Sequence, residues 1–545
     1  MIEASVAHNM TGEVLARAEL HPERAALILG HEGGGEERVS FAQLCERAGE
    51  IQRALVARGW RAGDRAVVMM PVGADLYALV LALASAGMIA VLIDPGMGPA
   101  RVLWAARHSG ARALFSVKAL TRFRAVVPTL RRLEVFTADG PGGVCGALGA
   151  RRGGGPPELA SVEPGTRALV TFTSGSTGRP KGADRGHGVL RAQHEALYAH
   201  FPNHEYARPV DCTCFPVVVF HNLSSGTTSA LPPVDLRSPA EFDPAEVAGY
   251  LRRHQVTSLS GAPAFMSNLC EHLVEVGETV PTIGRLMVGG GPVSRELARL
   301  VLEALPGCAR DAWGVYGSTE AEPMTHIRLE EMLAHPIERP GFLVGRPVEE
   351  AELRLLGLGA GSPRERAALE DASVRDSSAP GEIIVAGDHI VPRYLDDPEA
   401  DRRNKLYPED GTIWHRTGDV GRWDASGALW LTGRVNDLVE LGDRKLEPFE
   451  LEQVVGEWAE VARCALVSVG RDDGSERAFL AVEPERWEQW DRLEVRLEAH
   501  LEEAGLAQVR PVRVAQMPVD RRHQTKLDRP TLRLFLGLYQ YLLAR

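Results

Sequence analysis

Short apolar runs alternate along this chain with stretches of helical period. "RAVVMM" (65–70) precedes a long apolar stretch, "AVLID" (90–94) follows it, and "RALFSV" (112–117) comes after a further helical segment. Brief apolar runs bounded by turn residues read as buried strands. Their alternation with helices predicts α/β architecture with substantial parallel sheet. The stretch "LYALVLALASAGMIAVLID" (76–94) is nearly apolar throughout, close to the roughly 18 residues that suggest a membrane span. Asp75 and Asp94 bracket it, Ser85 and Gly87 interrupt it, and no cationic flank sets a topology. A buried helix ending at Gly87 and a buried strand over 89–93 are expected instead.

The pattern changes near Gly433 and Arg434. "LEPFELEQVVGEW" reads as a helix with Pro448 in its first turn, "CALVSVG" and "AFLAV" as strands. "WDRLEVRLEAHLEEAG" is an amphipathic helix stopped by Gly505, and "VRVAQM" a further strand. This tail is large enough to form its own α/β unit, with a hinge expected at 434–437. Two Gly/Pro-rich segments, 138–159 and 357–381, read as surface loops. "VVVF" (217–220) reads as an apolar strand that, with "SLSGAPAFMSNL" (258–269), would line a pocket for an apolar chain. No fixed-period repeat is present.

A length of 545 residues predicts two or more domains. The net charge of -12 argues against nucleic-acid binding through a basic face. Seven scattered cysteines favour reduced thiols in a cytoplasmic compartment over a disulfide framework. Cys212 and Cys214 have no second pair at zinc spacing and are expected on opposite faces of one strand. The N-terminus lacks the basic and apolar regions of a signal peptide.

The chemistry-bearing segment is "TFTSGSTGRPKG" (171–182), which leaves the apolar run "RALVTF". Serine, threonine and glycine at a strand end offer hydroxyls and backbone N–H groups to phosphate oxygens, and Lys181 adds a point charge. The spacing is not that of a P-loop, because Lys181 is followed by Gly182. No G-x-G-x-x-G follows a strand as a dinucleotide fold requires.

The full string resembles the phosphate loop of the adenylate-forming superfamily, which includes acyl-CoA synthetases, peptide-synthetase adenylation domains and luciferases. Other segments fit in the family's order. "VYGSTE" (315–320) resembles the adenylate-binding segment, "GGGPVS" (289–294) the wall beside adenine, "HRTGDVGRWDASGALWLTGR" (415–434) the ribose segment, "RKLEPFELE" (444–452) the post-hinge segment, and "DRRHQTKLDR" (520–529) the catalytic-lysine segment. Singly, Glu320 reads as a surface carboxylate, Asp419 as a turn residue, Tyr316 as core and Lys526 as a solvated lysine. Order and co-occurrence give them a joint meaning.

The resemblance implies a large N-terminal adenylate-forming domain (1–433) with parallel-rich sheets and ATP and acyl sites. It also implies a small mobile C-terminal α/β lid (434–545) carrying Lys526. The implied catalytic residues are Lys526, Thr319, Glu320 and His221, with Glu320 holding Mg²⁺. Thr173, Ser174, Gly175, Ser176, Thr177, Gly178 and Lys181 would hold phosphates. Gly289, Gly290, Gly291 and Tyr316 would enclose adenine, and Asp419 and Arg434 would serve the ribose and the hinge. ATP would activate a carboxylic acid, fatty or β-hydroxy fatty, to an acyl-adenylate with loss of pyrophosphate. Departures from the family are Asn436, where Asp or Lys is common, and Thr525, where glycine precedes the lysine. Three outcomes follow from the resemblance. The acyl group passes to an acceptor, coenzyme A or a carrier protein, with coenzyme A favoured. A β-hydroxy acid closes on itself, as in the β-lactone synthetases of olefin biosynthesis. Or the fold binds nucleotide without turnover, against which the presence of Thr319, Glu320, Asp419 and Lys526 argues.

Overall fold

The computed structural model describes residues 8–31, 35–121, 131–173, 179–203, 206–235, 241–358, 379–408, 410–441, 444–470, 476–519 and 527–543. The apolar stretch that most resembles a membrane segment builds the centre of the first sheet. Its helix, Ala74–Ser85, is buried at nearly every position, and the strand Ile89–Leu92 follows. Gly87 takes φ +68°, the left-handed stop that glycine adopts without strain. The Asn9 amide donates to the carbonyls of Ala84, Ser85 and Ala160, so the helix end is buried with its acceptors paired. Among the described residues, no helix is long and apolar enough to cross a membrane.

Among the described residues, that strand lies in a sheet of six, ordered Glu134–Thr137, Ala113–Ser116, Arg65–Met69, Ile89–Leu92, Arg167–Thr173, Lys181–Gly186. All neighbours are parallel except the last pair, a ladder in which Thr173 opposes Lys181. The second sheet has fourteen strands among the described residues. At its middle Ser258–Gly261, Arg285–Gly289 and Ala312–Ser318 run parallel. Their carboxyl ends open toward one crevice, the place where α/β sheets bind ligands.

After Arg434, among the described residues, a three-stranded sheet forms from Val461–Gly470, Glu476–Pro484 and Arg510–Arg513. Its period of two divides the side chains cleanly. Leu466, Leu480 and Val482 face Leu493 and Leu497 of the helix Trp490–Glu503, while Ala465, Val467 and Phe479 face Leu532 and Leu536 of the helix Arg529–Leu543. Arg529 joins this unit to 434–437. Its guanidinium donates to the Leu466 carbonyl at 2.8 Å and to Glu452 at 2.7 Å, and pairs with Asp437 at 3.4 Å.

Three expectations are corrected. Cys212 and Cys214 lie in one apolar core, because residues two apart in extended chain share a face. Part of the 138–159 segment is the helix Gly143–Leu148, pinned by buried Val144 and Leu148 and by Asp75 accepting the Val144 N–H at 2.9 Å. The "VVVF" run enters the helix Val218–Ser225, because Val219, Phe220 and Leu223 meet one core at helical spacing. Most of the 357–381 loop lies outside the described residues.

His187 predicts an acid limit to stability. It is fully buried, accepts the Met10 N–H at Nδ1 (3.1 Å), and its Nε2 has no partner among the described residues. Burial pushes it down to about 4 from an ordinary value near 6.5. Between those values the unfolded chain takes up a proton that the folded chain refuses. Stability from this group is therefore complete above about pH 6.5 and falls by about 3 kcal/mol as pH approaches 4. Denaturant titrations across that range should show the loss, and His187→Asn, which keeps an acceptor for Met10, should flatten this component.

Candidate active site

The strand Arg285–Gly289 runs straight into Gly290 and Gly291. A Cβ on Gly289 would meet the Val315 carbonyl oxygen at 2.7 Å, and Gly290 holds φ +77°. Only glycine lets this turn lie against the neighbouring strand Ala312–Ser318. Tyr316 on that strand is 9% exposed and donates its hydroxyl to Asp419 Oδ2 at 2.8 Å. Burial, with the adjacent Asp419 carboxylate, pushes the phenol well above its usual range and keeps it a donor. Asp419 opposes Arg434 in the ladder, and Arg434 Nε lies 3.1 Å from its Oδ1. Ladder register and ion pair thus bring together Tyr316, Asp419 and Arg434, the residues expected at adenine, ribose and hinge.

A second cluster surrounds Glu320, which is 8% exposed. Tyr394 donates to its Oε1 at 2.9 Å, and its backbone carbonyl accepts the Val391 N–H at 2.8 Å. Lys181 and Lys405 hold their ammonium groups 5.1 and 5.5 Å from the centre of the Tyr394 ring. Lys181 donates to Asn404 Oδ1 at 3.0 Å, and Lys405, only 2% exposed, donates to the Val391 carbonyl. Burial alone would push the Glu320 carboxyl up. His415, Lys405 and Lys181, with the Tyr394 hydrogen bond, outweigh it and hold the group below its ordinary value. The cations yield in the other direction: desolvation lowers Lys181 and takes Lys405 down to about 8, and burial takes His415 down to about 3. Two lysines facing one buried carboxylate make a pocket suited to an anion. Arg185 ties it to the strand Arg167–Thr173, donating to Thr171 Oγ1 at 2.7 Å and to the Thr319 carbonyl at 2.6 Å.

Residues of both clusters line one cleft of about 3110 Å³, with Lys405 buried off its wall. Thr319, Glu320, Lys181, Gly289, Gly290, Gly291, Tyr316, Asp419, Arg434 and His221 all contribute to its wall. Val218, Phe220, Leu231 and Met287 supply apolar lining, as do Ala262 and Pro263 of the 258–269 segment. His221 sits on a helix, with its Nδ1 3.0 Å from Nδ1 of His194. Thr173 ends its strand, while Ser174, Gly175, Ser176, Thr177, Gly178 and Lys526 lie outside the described residues. Leu527 lines the cleft and bridges Val519.

Among the described residues no group of three or more His, Cys, Asp and Glu side chains is placed to hold a metal ion. A hard cation at Glu320 would therefore take its remaining ligands from phosphate and water. That donor set suits Mg²⁺, which binds through one or two carboxylates and substrate phosphates.

Sequence reasoning missed Lys405, His415, Tyr394 and Arg185. Lys405 and Tyr394 lie in "RYLDDPEADRRNKLYPED", which reads as a solvated charged run. An available signal was the histidine directly before the "RTGD" turn, since burial there needs partners.

The profile of a family described as AMP-binding enzyme matches residues 14–395. An olefin β-lactone synthetase of Stenotrophomonas maltophilia is 31% identical over 558 aligned positions, covering 96% of this chain and 97% of the relative. A second, from Xanthomonas campestris pv. campestris, is 30% identical over 91% of this chain and 90% of its own. Among solved structures, ATP-bound MatB from Rhodopseudomonas palustris superposes with a TM-score of 0.80 at 20% identity, covering 97% and 99% of the two chains. The AMP complex of O-succinylbenzoate coenzyme A synthetase from Bacillus subtilis gives 0.75 at 21% identity, covering 95% and 97%. The chain belongs to the AMP-binding family of adenylate-forming enzymes.

Proposed function

We propose that this enzyme activates a β-hydroxy fatty acid with ATP and then closes the acyl-adenylate to a β-lactone, releasing AMP. The observation that carries the adenylation step is the shared cleft. Tyr316, Asp419 and Arg434 hold one end of it, and Lys181 and Glu320 the other, as a nucleotide with a polyphosphate tail requires, while Lys405 is buried against the Val391 carbonyl. The carboxylate approaching the α-phosphorus is an anion meeting an anion, so charge neutralisation and alignment are the protein's main tasks. Thr173, Ser174, Gly175, Ser176, Thr177, Gly178 and Lys181 bind the departing pyrophosphate. Thr319 contributes at the α-phosphate, and Glu320 holds Mg²⁺, which would offset charge on the triphosphate when bound. Asp419 carries lone pairs beyond those used by Tyr316 and Arg434, and these accept the ribose hydroxyls. Gly289, Gly290 and Gly291 bound the adenine opposite the Tyr316 ring. Residues 434–545 act as a mobile lid on the 1–433 body, bringing Lys526 to the reacting carboxylate. The protein works in the cytoplasm.

Similarity over nearly the whole length to two olefin β-lactone synthetases supports lactone closure as the second step. Attack by the substrate's own hydroxyl is intramolecular and needs only a folded pose. Transfer to coenzyme A is the second reading. His221 on the cleft wall favours it, because the position resembles the gate of acyl-CoA synthetases.

The two readings separate on thiol dependence. Enzyme, ATP, Mg²⁺ and a β-hydroxy fatty acid should yield AMP and β-lactone in the absence of coenzyme A. Product detected by mass spectrometry only when the thiol is added would overturn lactone closure and leave the ligase.

A further inference from the structure

His221 ends a chain of three titratable side chains that begins at the protein surface. Glu13, on the helix Thr11–Leu20, places Oε2 3.0 Å from Nε2 of His194. His194, on the helix His187–His200, places Nδ1 3.0 Å from Nδ1 of His221. Glu13 is 41% exposed at its side chain, His194 is 13% exposed, and His221 lines the cleft. Among the described residues, His221 Nε2 has no hydrogen-bonding partner.

These contacts fix where the protons sit. A carboxylate only accepts, so His194 Nε2 carries a hydrogen toward Glu13. With His194 neutral, its Nδ1 is then a bare acceptor, and the hydrogen between the two Nδ1 atoms belongs to His221. That leaves His221 Nε2 with a free lone pair. From this geometry we infer that Glu13 and His194 are positioning residues that set the tautomer of His221, making it the base that takes the proton from the attacking hydroxyl. The inference rests on the two-step reading above.

The step balances without any further reactant. As the β-hydroxyl oxygen bonds to the acyl carbon, its proton passes to His221 Nε2. The Nδ1 hydrogen of His221 moves to His194 Nδ1, and the acyl–phosphate C–O bond breaks with its electron pair leaving on AMP. The positive charge then rests on His194 beside Glu13, not on His221. Burial, then the neighbouring His194, push His221 down to about 3, so it could not hold that charge alone. Glu13 is held below its ordinary value, chiefly by the His194 hydrogen bond, and Arg191 and Arg17 reinforce its charge. It is therefore a stable anion for the imidazolium, and its exposure returns the proton to water.

The molecule supplies its own control. Glu350, His200 and His326 form a second carboxylate–imidazole–imidazole chain at 2.8 and 3.0 Å, but its end packs on Trp313 and Phe201.

The test compares the two half-reactions in Glu13→Gln, Glu13→Asp and Glu350→Gln. Acid-dependent exchange of labelled pyrophosphate into ATP reads adenylation, and single-turnover decay of acyl-adenylate reads closure. Glu13→Gln should leave exchange within about twofold of wild type and slow decay on the order of tenfold to a hundredfold, the usual cost of losing a partner that orients a histidine. Glu13→Asp should recover most of the decay rate, and Glu350→Gln should change neither. Equal slowing of exchange and decay by Glu13→Gln, or unchanged decay, would overturn the relay. Absence of exchange in the wild-type enzyme would instead remove the adenylation reading itself.

Discussion

Lys526→Ala is expected to lower the rate of adenylate formation by about 10²–10³, the loss found when one preorganised donor to developing charge is removed. The cleft already holds Lys181 at the Glu320 end, but that residue does not belong to the chain after residue 434. A cation is still needed between the incoming carboxylate and the α-phosphate, where two negative groups approach. The chain next to Lys526 is well placed for this, since Leu527 lines the cleft. Asp528 and Arg529 also line it, and Arg529 is locked to Glu452 and Asp437. A shift of the 434–545 unit about 434–437 would therefore carry position 526 with it. Acid-dependent pyrophosphate exchange should fall by the stated factor. Consumption of separately prepared acyl-adenylate should change much less, because the α-phosphate attack is then already complete. AMP production unchanged in Lys526→Ala would remove the proposed role of the lid.

Much of this arrangement is legible in the amino-acid sequence. The apolar stretch 76–94 showed its helix and strand because Gly87 marks the break and Asp94 the end. Motifs with fixed spacing pointed to Tyr316, Glu320 and Asp419, and all three line the cleft. The groups that surround Glu320 come from separate strands and loops, and nothing local distinguishes Lys405 from the exposed arginines beside it. Its burial is decided by Tyr394 and Val391, which only tertiary contact supplies. The same holds for Glu13 and His194, whose meaning depends on His221 being their neighbour in space. "VVVF" shows the limit from the other side. Four apolar residues fit a strand or a buried helix equally well, and the partner surface chose the helix.

Glu320→Gln is expected to cost adenylation on the order of 10²–10³ as well, by a different route. The amide keeps the size of the side chain and an oxygen for the Tyr394 hydroxyl, so the cluster keeps its shape. It removes a buried carboxylate that acts on Lys181, Lys405 and His415, and with it the proposed Mg²⁺ ligand. Lys405 is held charged partly by Glu320 against desolvation. Without that carboxylate its value should drop below about 8, and the fold should lose on the order of 3 kcal/mol, as when one partner of a buried charge set is deleted. Denaturant melts at pH 7 and pH 9 separate this from a general loss of structure. Raising the pH neutralises Lys405, so the variant's stability deficit should shrink at pH 9. The kinetic signature is Mg²⁺ demand: exchange by Glu320→Gln should rise with metal concentration well beyond the range that saturates the parent enzyme. Wild-type rates with an unchanged metal dependence would show that Glu320 holds neither the cation nor the charge balance of the cleft.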